Sequence, residues 1–220
     1  MRKPRTILPY GPDALLLQWE PLIDVAISEG VHAYARALRE LPEITECVPA
    51  YASLLVRYDA GRLSAYAARE LAYALRPDPV RDNERTHYSI CVCYDPELGP
   101  DLESVARSCG MSVEEVIAAH SSVTYHVFQL GYQPGFAFLG PTPASLHVPR
   151  HPRPRPLVPY GAVGIAGNQT GIYPGGSPGG WQLIGRAPLL PDDLQFEPGD
   201  RVKFVPVDRA YYDSEIARNA

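Results

Sequence analysis

The residues best suited to chemistry in this sequence are four arginines in a stretch without acidic residues. Residues 121–190 contain Arg150, Arg153, Arg155 and Arg186 and no Asp or Glu. A guanidinium is permanently charged and matches carboxylate or phosphate, and the nearby glycine-rich turns offer backbone amides. The pattern therefore predicts an anion site. Each arginine taken singly could instead be solvated or paired with an acid from elsewhere in the chain.

The same stretch excludes several mechanisms. Without Asp or Glu it cannot by itself supply a carboxylate pair for acid–base catalysis or an Asp-led metal site. Nucleotide motifs are missing too, since GAVGIAG lacks the spacing of G-x-G-x-x-G and GxxxxGK[ST] is absent. Ser177 in GGSPGG lacks the G-x-S-x-G spacing of a hydrolase. Any ATP would need a different kind of site or residues of a partner.

One histidine and three aromatic residues are further candidates. His120 ends a predicted helix beside a β-rich region, and it is the first of the six histidines to test, although structural histidines are more common. Phe136, Tyr173 and Trp181 lie among glycines, which let a ligand approach the backbone closely. These rings could form the wall of a small-molecule pocket or close the core of a barrel.

Composition narrows the class of protein. The net charge is −5 and only two lysines are present, which argues against a basic face for nucleic acid. No apolar run is long enough to span a membrane, and Pro9, Pro12 and Asp13 interrupt any signal-peptide core. The four cysteines lack a zinc spacing, and Cys91 and Cys93 are expected to be buried apolar side chains. We therefore expect a cytoplasmic protein.

Local patterns predict alternating strands and helices in the first 90 residues. DALLLQW, ASLLVRY and HYSICVCY are typical of strands. Between them, Val31, Tyr34, Leu38 and Leu41 form one helical stripe, and a second stripe runs from Leu63 through every fourth residue until Pro77 ends it. This part of the chain also carries the negative charge, because 18 acidic and 12 basic residues lie in the first 120.

Two short helices and a β-rich region follow. Asp101 and Ser112 are predicted to begin the helices, and Ser112 with Glu115 fits a capping box. The pair resembles a DNA-binding helix-turn-helix, but SVEEVIAAH would present two carboxylates to DNA. VTYHVFQLGY and later short segments punctuated by Gly and Pro predict a small barrel or sandwich. HVPRHPRPRP is predicted to be an extended ordered loop, with an SH3-type ligand as the alternative.

Long motifs in the second half resemble one known family. GYQPGFAFLG resembles its G-F-x-P-G-F-a-Y-L motif, and HVPRHPRPRPLVPYGAVGIAGNQTGIYPGGSPGGWQLIGR follows its signature from P-R to W-x-L-I-G-R. VPAYASLLVRYD, YDPELGPDLESVA and PGDRVKFVPV fit as well, so the resemblance covers nearly the whole chain. The chain is identified as a member of the family of the 5-oxoprolinase B subunit, also called allophanate hydrolase subunit 1 or Kip-type histidine-kinase inhibitor. This family is related to the carboxyltransferase part of urea carboxylase.

The resemblance implies a fold and a function. Residues 1–90 are expected to form an α+β N-terminal domain and residues 91–220 a mainly β, cyclophilin-like barrel domain. The implied activity is the ATP-dependent cleavage of 5-oxo-L-proline to L-glutamate in a complex with 5-oxoprolinase subunits C and A. ATP, with Mg²⁺, would be shared with these partners, and neither nucleic acid nor membrane is expected. Phosphorylation of the unreactive lactam oxygen would let water open the ring, and cations would stabilise the transferring phosphate.

The resemblance also implies site residues. Arg150 and His120 are predicted to be catalytic, and no metal ligand is predicted. The residues predicted to bind substrate or ATP are Gln169, Tyr173, Arg186, Tyr125 and Trp181.

This chain departs from the family pattern at several positions. Tyr132 stands where the family has Phe, Phe138 where it has Tyr, and Ala162 where it has Ser. The segment 187–199 is shorter than usual, which affects the expected partner interface or pocket rim. Two other functions stay open. One is an inhibitor that docks on a sensor histidine kinase through the β-domain. The other is a component of urea breakdown, which a biotin-bearing partner would reveal.

Overall fold

Residues 2–78, 85–188 and 195–218 are described by the computed structural model of the chain. The chain divides into two compact units, Met1–Arg85 and Thr86–Ala220. The expected boundary at residues 90 and 91 lies inside a strand of the second unit, His87–Cys93. Residues 189–194 of the shortened segment lie outside the described residues.

The first unit is a four-stranded antiparallel sheet covered on one face by two helices. The strands, in the order β1-β2-β4-β3, are β1 (Thr6–Pro9), β2 (Ala14–Gln18), β3 (Ile44–Pro49) and β4 (Ser53–Tyr58). The helices are α1 (Val25–Arg39) and α2 (Ala65–Ala74), and one buried apolar cluster contains residues of both helices and all four strands.

Most of this unit follows the predicted patterns. Val31, Tyr34 and Leu38 are almost fully buried, which confirms three positions of the predicted stripe, whereas Leu41 lies beyond the end of α1 at Arg39. Asp24 caps this helix by accepting a hydrogen bond from the Ile27 amide at 3.0 Å. DALLLQW and ASLLVRY contain β2 and β4, as predicted. Strands β1 and β3 were not predicted, because they are sheet edges whose mostly exposed residues lack apolar alternation.

The second unit contains a closed barrel of seven strands. In chain order they are β5 (His87–Cys93), β6 (Thr124–Leu130), β7 (Ala137–Gly140), β9 (Ala162–Ala166), β10 (Gln169–Ile172), β12 (Gln182–Arg186) and β13 (Arg201–Val207). Their order around the barrel is β10-β7-β6-β13-β5-β12-β9, and β9 pairs with β10 to close it. The β-barrel predicted for the second part of the chain is therefore observed.

Two further strands and three helices accompany the barrel. Strands β8 (Arg155–Val158) and β11 (Ser177–Gly179) form a separate two-stranded sheet. The helices are α3 (Leu102–Cys109), α4 (Val113–Ser122) and α5 (Arg209–Arg218). The capping box predicted at the start of α4 is present. Within the described ranges, no helix is both long and apolar enough to cross a membrane.

Apolar residues of this unit form two separate clusters. The larger cluster takes residues from all seven barrel strands and from α3 and α4, and the only face that all seven strands share is the barrel interior. On β9, Val163 and Ile165 belong to this interior, whereas Ala162 and Ala166 belong to a second cluster. Because side chains alternate along a strand, the second cluster lies on the outside of the barrel.

Candidate functional site

A small pocket of about 120 Å³ lies on the outer face of the barrel. Its lining residues are Tyr132, Phe136, Phe138, Arg150, Tyr173, Gly179, Gly180 and Trp181. Phe136, Tyr173 and Trp181 are almost fully buried and belong to the outer apolar cluster. These rings therefore form the wall of a pocket. The apolar cluster to which they belong lies outside the barrel and not in its interior.

The three rings pack edge to face. The ring centroid of Phe136 lies 5.5 Å from that of Trp181 and 5.4 Å from that of Tyr173, with interplanar angles of 83° and 70°. Two glycines make this packing possible. A Cβ atom on Gly171 would lie 3.0 Å from Phe136 Cζ, and one on Gly164 would lie 3.1 Å from Trp181 Cβ. The glycines of β9 and β10 therefore provide the room in which the pocket wall packs.

Arg150 supplies the positive charge of this pocket. Its side chain is exposed, and its guanidinium carbon lies 5.9 Å from the centre of the Trp181 ring. The buried Tyr173 hydroxyl adds a neutral polar group, because burial raises its pKa and the effects of Arg150 and Arg155 only partly oppose this. The pocket thus combines aromatic walls, one cation and the phenols of Tyr132 and Tyr173.

The other three arginines of the acid-free stretch have different surroundings. Arg155 donates a hydrogen bond from Nη2 to Asp101 Oδ1 at 2.6 Å, so for this residue the pairing alternative is correct. Arg186 donates from Nε to the Tyr160 carbonyl at 2.7 Å. Arg153 is exposed. The cluster of four is therefore not a single anion site, and of the four only Arg150 lines the described pocket.

Tyr132 closes one side of the pocket. Its hydroxyl donates a hydrogen bond to the Pro178 carbonyl, which links the turn after β6 to β11. Its backbone has a φ of 72°, a left-handed conformation that is strained for a bulky residue. A phenylalanine, the residue of the family pattern, could not form this hydrogen bond.

His120 lies elsewhere, inside the barrel. It is 0% exposed and stacks on Phe204 with ring centroids 4.7 Å apart. Its Nε2 lies 2.9 Å from Thr170 Oγ1 and its Nδ1 lies 2.7 Å from the Tyr94 hydroxyl. Burial lowers the pKa of His120 to about 3, so the imidazole is neutral at physiological pH.

The hydrogen bonds around His120 define its tautomer. Thr170 donates its only hydroxyl proton to the Gly164 carbonyl at 3.0 Å, so its oxygen accepts from Nε2–H. The unprotonated Nδ1 then accepts from Tyr94. Every polar atom of the ring is satisfied within the core, which is an environment typical of a structural histidine. His120 and Arg150 are not brought together, and the catalytic role of His120 stays a prediction.

The remaining predicted residues fall on both faces of the barrel. Tyr125 is 0% exposed in the interior cluster, and its hydroxyl donates to the His120 carbonyl at 2.8 Å. Gln169 is 8% exposed at the start of β10. Neither residue lines the described pocket, whereas the predicted Tyr173 and Trp181 do. The binding roles of these residues stay predictions.

Two further residues contribute to the pocket wall. Tyr132 and Phe138 line the pocket but were noted only as departures from a family pattern. The glycines and aromatic residues of GYQPGFAFLG were the signal that could have found them. No group of three or more His, Cys, Asp or Glu side chains in the described part of the chain is arranged to hold a metal ion.

Comparison with known proteins identifies the family of this chain. The family model "Carboxyltransferase domain, subdomain C and D" matches residues 5–196, so the chain belongs to this family. More particularly, the chain is 38% identical over 213 residues to the B subunit of 5-oxoprolinase from Escherichia coli O157:H7. This match covers 94% of this chain and 97% of the relative. The family predicted from the motifs is confirmed.

Solved structures give the same fold. The crystal structure of TTHA0988 matches with a TM-score of 0.76 and 37% identity over 89% of this chain. This chain spans only 40% of the length of that protein. The K. lactis urea amidolyase matches with a TM-score of 0.70 over 100% of this chain and 16% of its own length. At 17% identity, that likeness concerns the fold alone.

Proposed function

We propose that this chain is the B subunit of an ATP-dependent 5-oxoprolinase complex and that the outer pocket binds the cyclic substrate. The 38% identity to a protein named as the B subunit of 5-oxoprolinase supports the assignment to the complex. The observation that carries the role of the pocket is the position of Arg150, 5.9 Å above Trp181. A guanidinium at the mouth of an aromatic pocket suits a small ring that carries a carboxylate.

The chemistry of 5-oxo-L-proline matches this pocket. Its carboxylate would form paired hydrogen bonds with the Arg150 guanidinium. Its nearly flat lactam ring would pack against Trp181 and Phe136, and the neutral hydroxyl of Tyr173 could donate to a carbonyl. The chain would then bind and orient the lactam and shield its ring from water.

The pocket does not fit the whole of ATP. At about 120 Å³ it is smaller than the roughly 300–1,000 Å³ of pockets that enclose drug-sized ligands. The described residues at the pocket also include no Asp or Glu that could hold Mg²⁺ beside a phosphate. We therefore assign the nucleotide to a site formed largely by the partner subunits C and A.

Reconstitution of the complex tests this function. The chain, combined with subunits C and A, should release L-glutamate from 5-oxo-L-proline in the presence of ATP and Mg²⁺. Omission of ATP or of this chain should abolish glutamate release. A complex that assembles but produces no glutamate would contradict the proposal. Identification of the proteins that co-purify with the chain at native expression would provide an independent check of the partners.

A further inference from the structure

The carboxylate of Asp101 contacts residues of the acid-free stretch 121–190, although Asp101 itself precedes that stretch. Asp101 stands at the N-cap of α3 and is 6% exposed. An Asp at this position usually caps the helix with its side chain, but Asp101 makes no such hydrogen bond. Its carboxylate instead contacts residues that lie more than fifty positions further along the chain. Contacts with these distant residues, and not helix capping, therefore determine the orientation of the Asp101 side chain.

The contacts of Asp101 join two segments beside the pocket. Oδ1 accepts from Arg155 Nη2 at 2.6 Å, and Oδ2 accepts from the Leu183 amide at 2.6 Å. The Asp101 amide in turn donates to the Leu183 carbonyl at 2.9 Å. His151 Nε2 lies 3.2 Å from Oδ2, although it is not aligned for a hydrogen bond. Asp101 thus contacts the segment that follows Arg150 and the segment that follows Trp181.

Further hydrogen bonds hold these two segments against each other. The His151 amide donates to the Gly180 carbonyl at 2.7 Å, and Gln182 Nε2 donates to the Pro149 carbonyl at 3.0 Å. These bonds involve the neighbours of Arg150 in one segment and the neighbours of Trp181 in the other. The distance between Arg150 and Trp181 therefore depends on how these two segments pack. The buried Asp101 carboxylate contacts both segments and therefore constrains that packing. Its removal would leave Arg155 without its ion-pair partner.

We propose that Asp101 is a positioning residue that holds the Arg150 segment over Trp181 and so sets the substrate affinity of the pocket. The ion pair with Asp101 also neutralises Arg155, and Arg150 is the arginine that lines the pocket and would face a substrate carboxylate. Asp101 acts through Arg155, His151 and Leu183 and does not touch the substrate. This role rests on the proposed function, but its structural part can be measured without any substrate.

Steady-state kinetics of the reconstituted complex test the effect on affinity. Asp101→Asn should raise KM for 5-oxo-L-proline about tenfold with kcat within about twofold, because the contact that it weakens is made equally in the ground state and the transition state. A merely structural role would lower kcat through a loss of folded complex and leave KM unchanged. Glu103→Gln is the matched control, since Glu103 is exposed on the same helix and pairs only with Arg107 among described residues. Wild-type KM in Asp101→Asn would overturn the proposal.

Amide hydrogen exchange of the full-length chain tests the packing independently. In Asp101→Asn, the amides of His151 and Leu183 should exchange about tenfold faster, while those of β9 and β10 keep their protection. If Asp101→Asn does not fold, Arg155→Gln breaks the same ion pair from the other side and should give the same pattern. Unchanged exchange in the folded variant would refute the positioning role. If the wild-type complex does not cleave 5-oxo-L-proline, the proposed function is lost, and the exchange comparison still decides the role of Asp101.

Discussion

The guanidinium carbon of Arg150 lies 5.9 Å from the centre of the Trp181 ring, although 31 positions separate the two residues in sequence. Arg150 is exposed, and Trp181, which lines the same pocket, is 4% exposed. A cation held over an aromatic face presents both an ionic and an apolar surface to a ligand. This pair therefore defines the surface that a bound substrate would meet.

Removal of the Arg150 guanidinium should abolish most of the activity and leave the fold intact. Arg150→Ala is expected to lower kcat/KM of the complex by about 10- to 150-fold, since a hydrogen bond to a charged group contributes about 1.5–3 kcal/mol. The thermal unfolding midpoint should stay within about 2 °C of wild type, because the side chain is exposed. Arg153→Ala, in the same segment, is the control and should keep normal turnover. Near-normal turnover in Arg150→Ala would show that this arginine is structural.

A methyl group on Gly171 should disturb the pocket wall. The Cβ of Gly171→Ala would lie 2.9 Å from the Ala137 carbonyl oxygen and 3.0 Å from Phe136 Cζ. We expect a loss of about 1–3 kcal/mol in the free energy of unfolding and weaker substrate binding. Chemical denaturation and calorimetric titration with 5-oxo-L-proline measure the two effects. Gly175→Ala should be nearly neutral, since nothing lies within 4 Å of its added methyl group. Equal stability of the two variants would contradict this packing.

Loss of the Tyr132 hydroxyl should loosen one side of the pocket. Tyr132→Phe retains the ring contacts with Phe136 and Tyr173 and removes the hydrogen bond to the Pro178 carbonyl. A net contribution of about 0.5–1.5 kcal/mol for this bond predicts about 2- to 12-fold faster dissociation of the substrate. Stopped-flow measurement of substrate release can detect this change. Tyr66→Phe serves as the control because Tyr66 is 74% exposed on α2. An unchanged dissociation rate in Tyr132→Phe would show that the hydroxyl does not restrain the bound substrate.

His120 should make the stability of the second unit depend on pH. Its pKa is about 3 in the folded state against 6.5 in a model peptide, so the unfolded chain binds more protons between these values. The stabilisation is complete above about pH 6.5 and is lost as the pH falls toward 3, with a slope of at most about 1.4 kcal/mol per pH unit. His120→Gln should remove this contribution and flatten the dependence. Urea denaturation at pH 7, 6, 5 and 4 measures the slopes.

A matched control separates this effect from the titration of other groups. His147→Gln makes the same substitution at an exposed histidine and serves as the control. Identical slopes in His120→Gln and wild type would contradict the neutral, buried state of His120. A lower absolute stability of His120→Gln is expected at every pH, because the substitution disturbs the hydrogen bonds with Tyr94 and Thr170.

Local patterns predicted much of the fold. The helical stripe of α1, the capping box of α4 and the strands β2, β4, β5 and β6 depend on residues that are close in sequence, and these elements are observed. The short edge strands β1 and β3 were not predicted, because edge strands need little burial and carry little apolar signal. The Pro-rich segment 147–156 contains no helix and ends in β8, a strand of the two-stranded sheet outside the barrel.

The candidate site was predicted only in part. Arg150, Tyr173 and Trp181 line the pocket, and their residue types pointed to an anion and an apolar wall. Arg150 and His120 are both predicted to be catalytic, but His120 is buried against Phe204 of the barrel interior and does not line the described pocket. A sequence pattern indicates that a helix ends at His120, but it does not indicate which side of a closed barrel the side chain enters.

By itself, the sequence determined the family, the types of the local elements and the presence of 70 residues without a carboxylate. Only the tertiary structure decided which arginine of that stretch is paired and which one lines the pocket. Asp101 and Arg155 are 54 positions apart, and only the tertiary fold brings their charged groups to 2.6 Å. Periodicity encodes which face of an element is apolar, whereas ion pairs between distant segments depend on how the elements pack. For this reason the arginine that is neutralised and the arginine that faces the pocket could be told apart only in the folded chain.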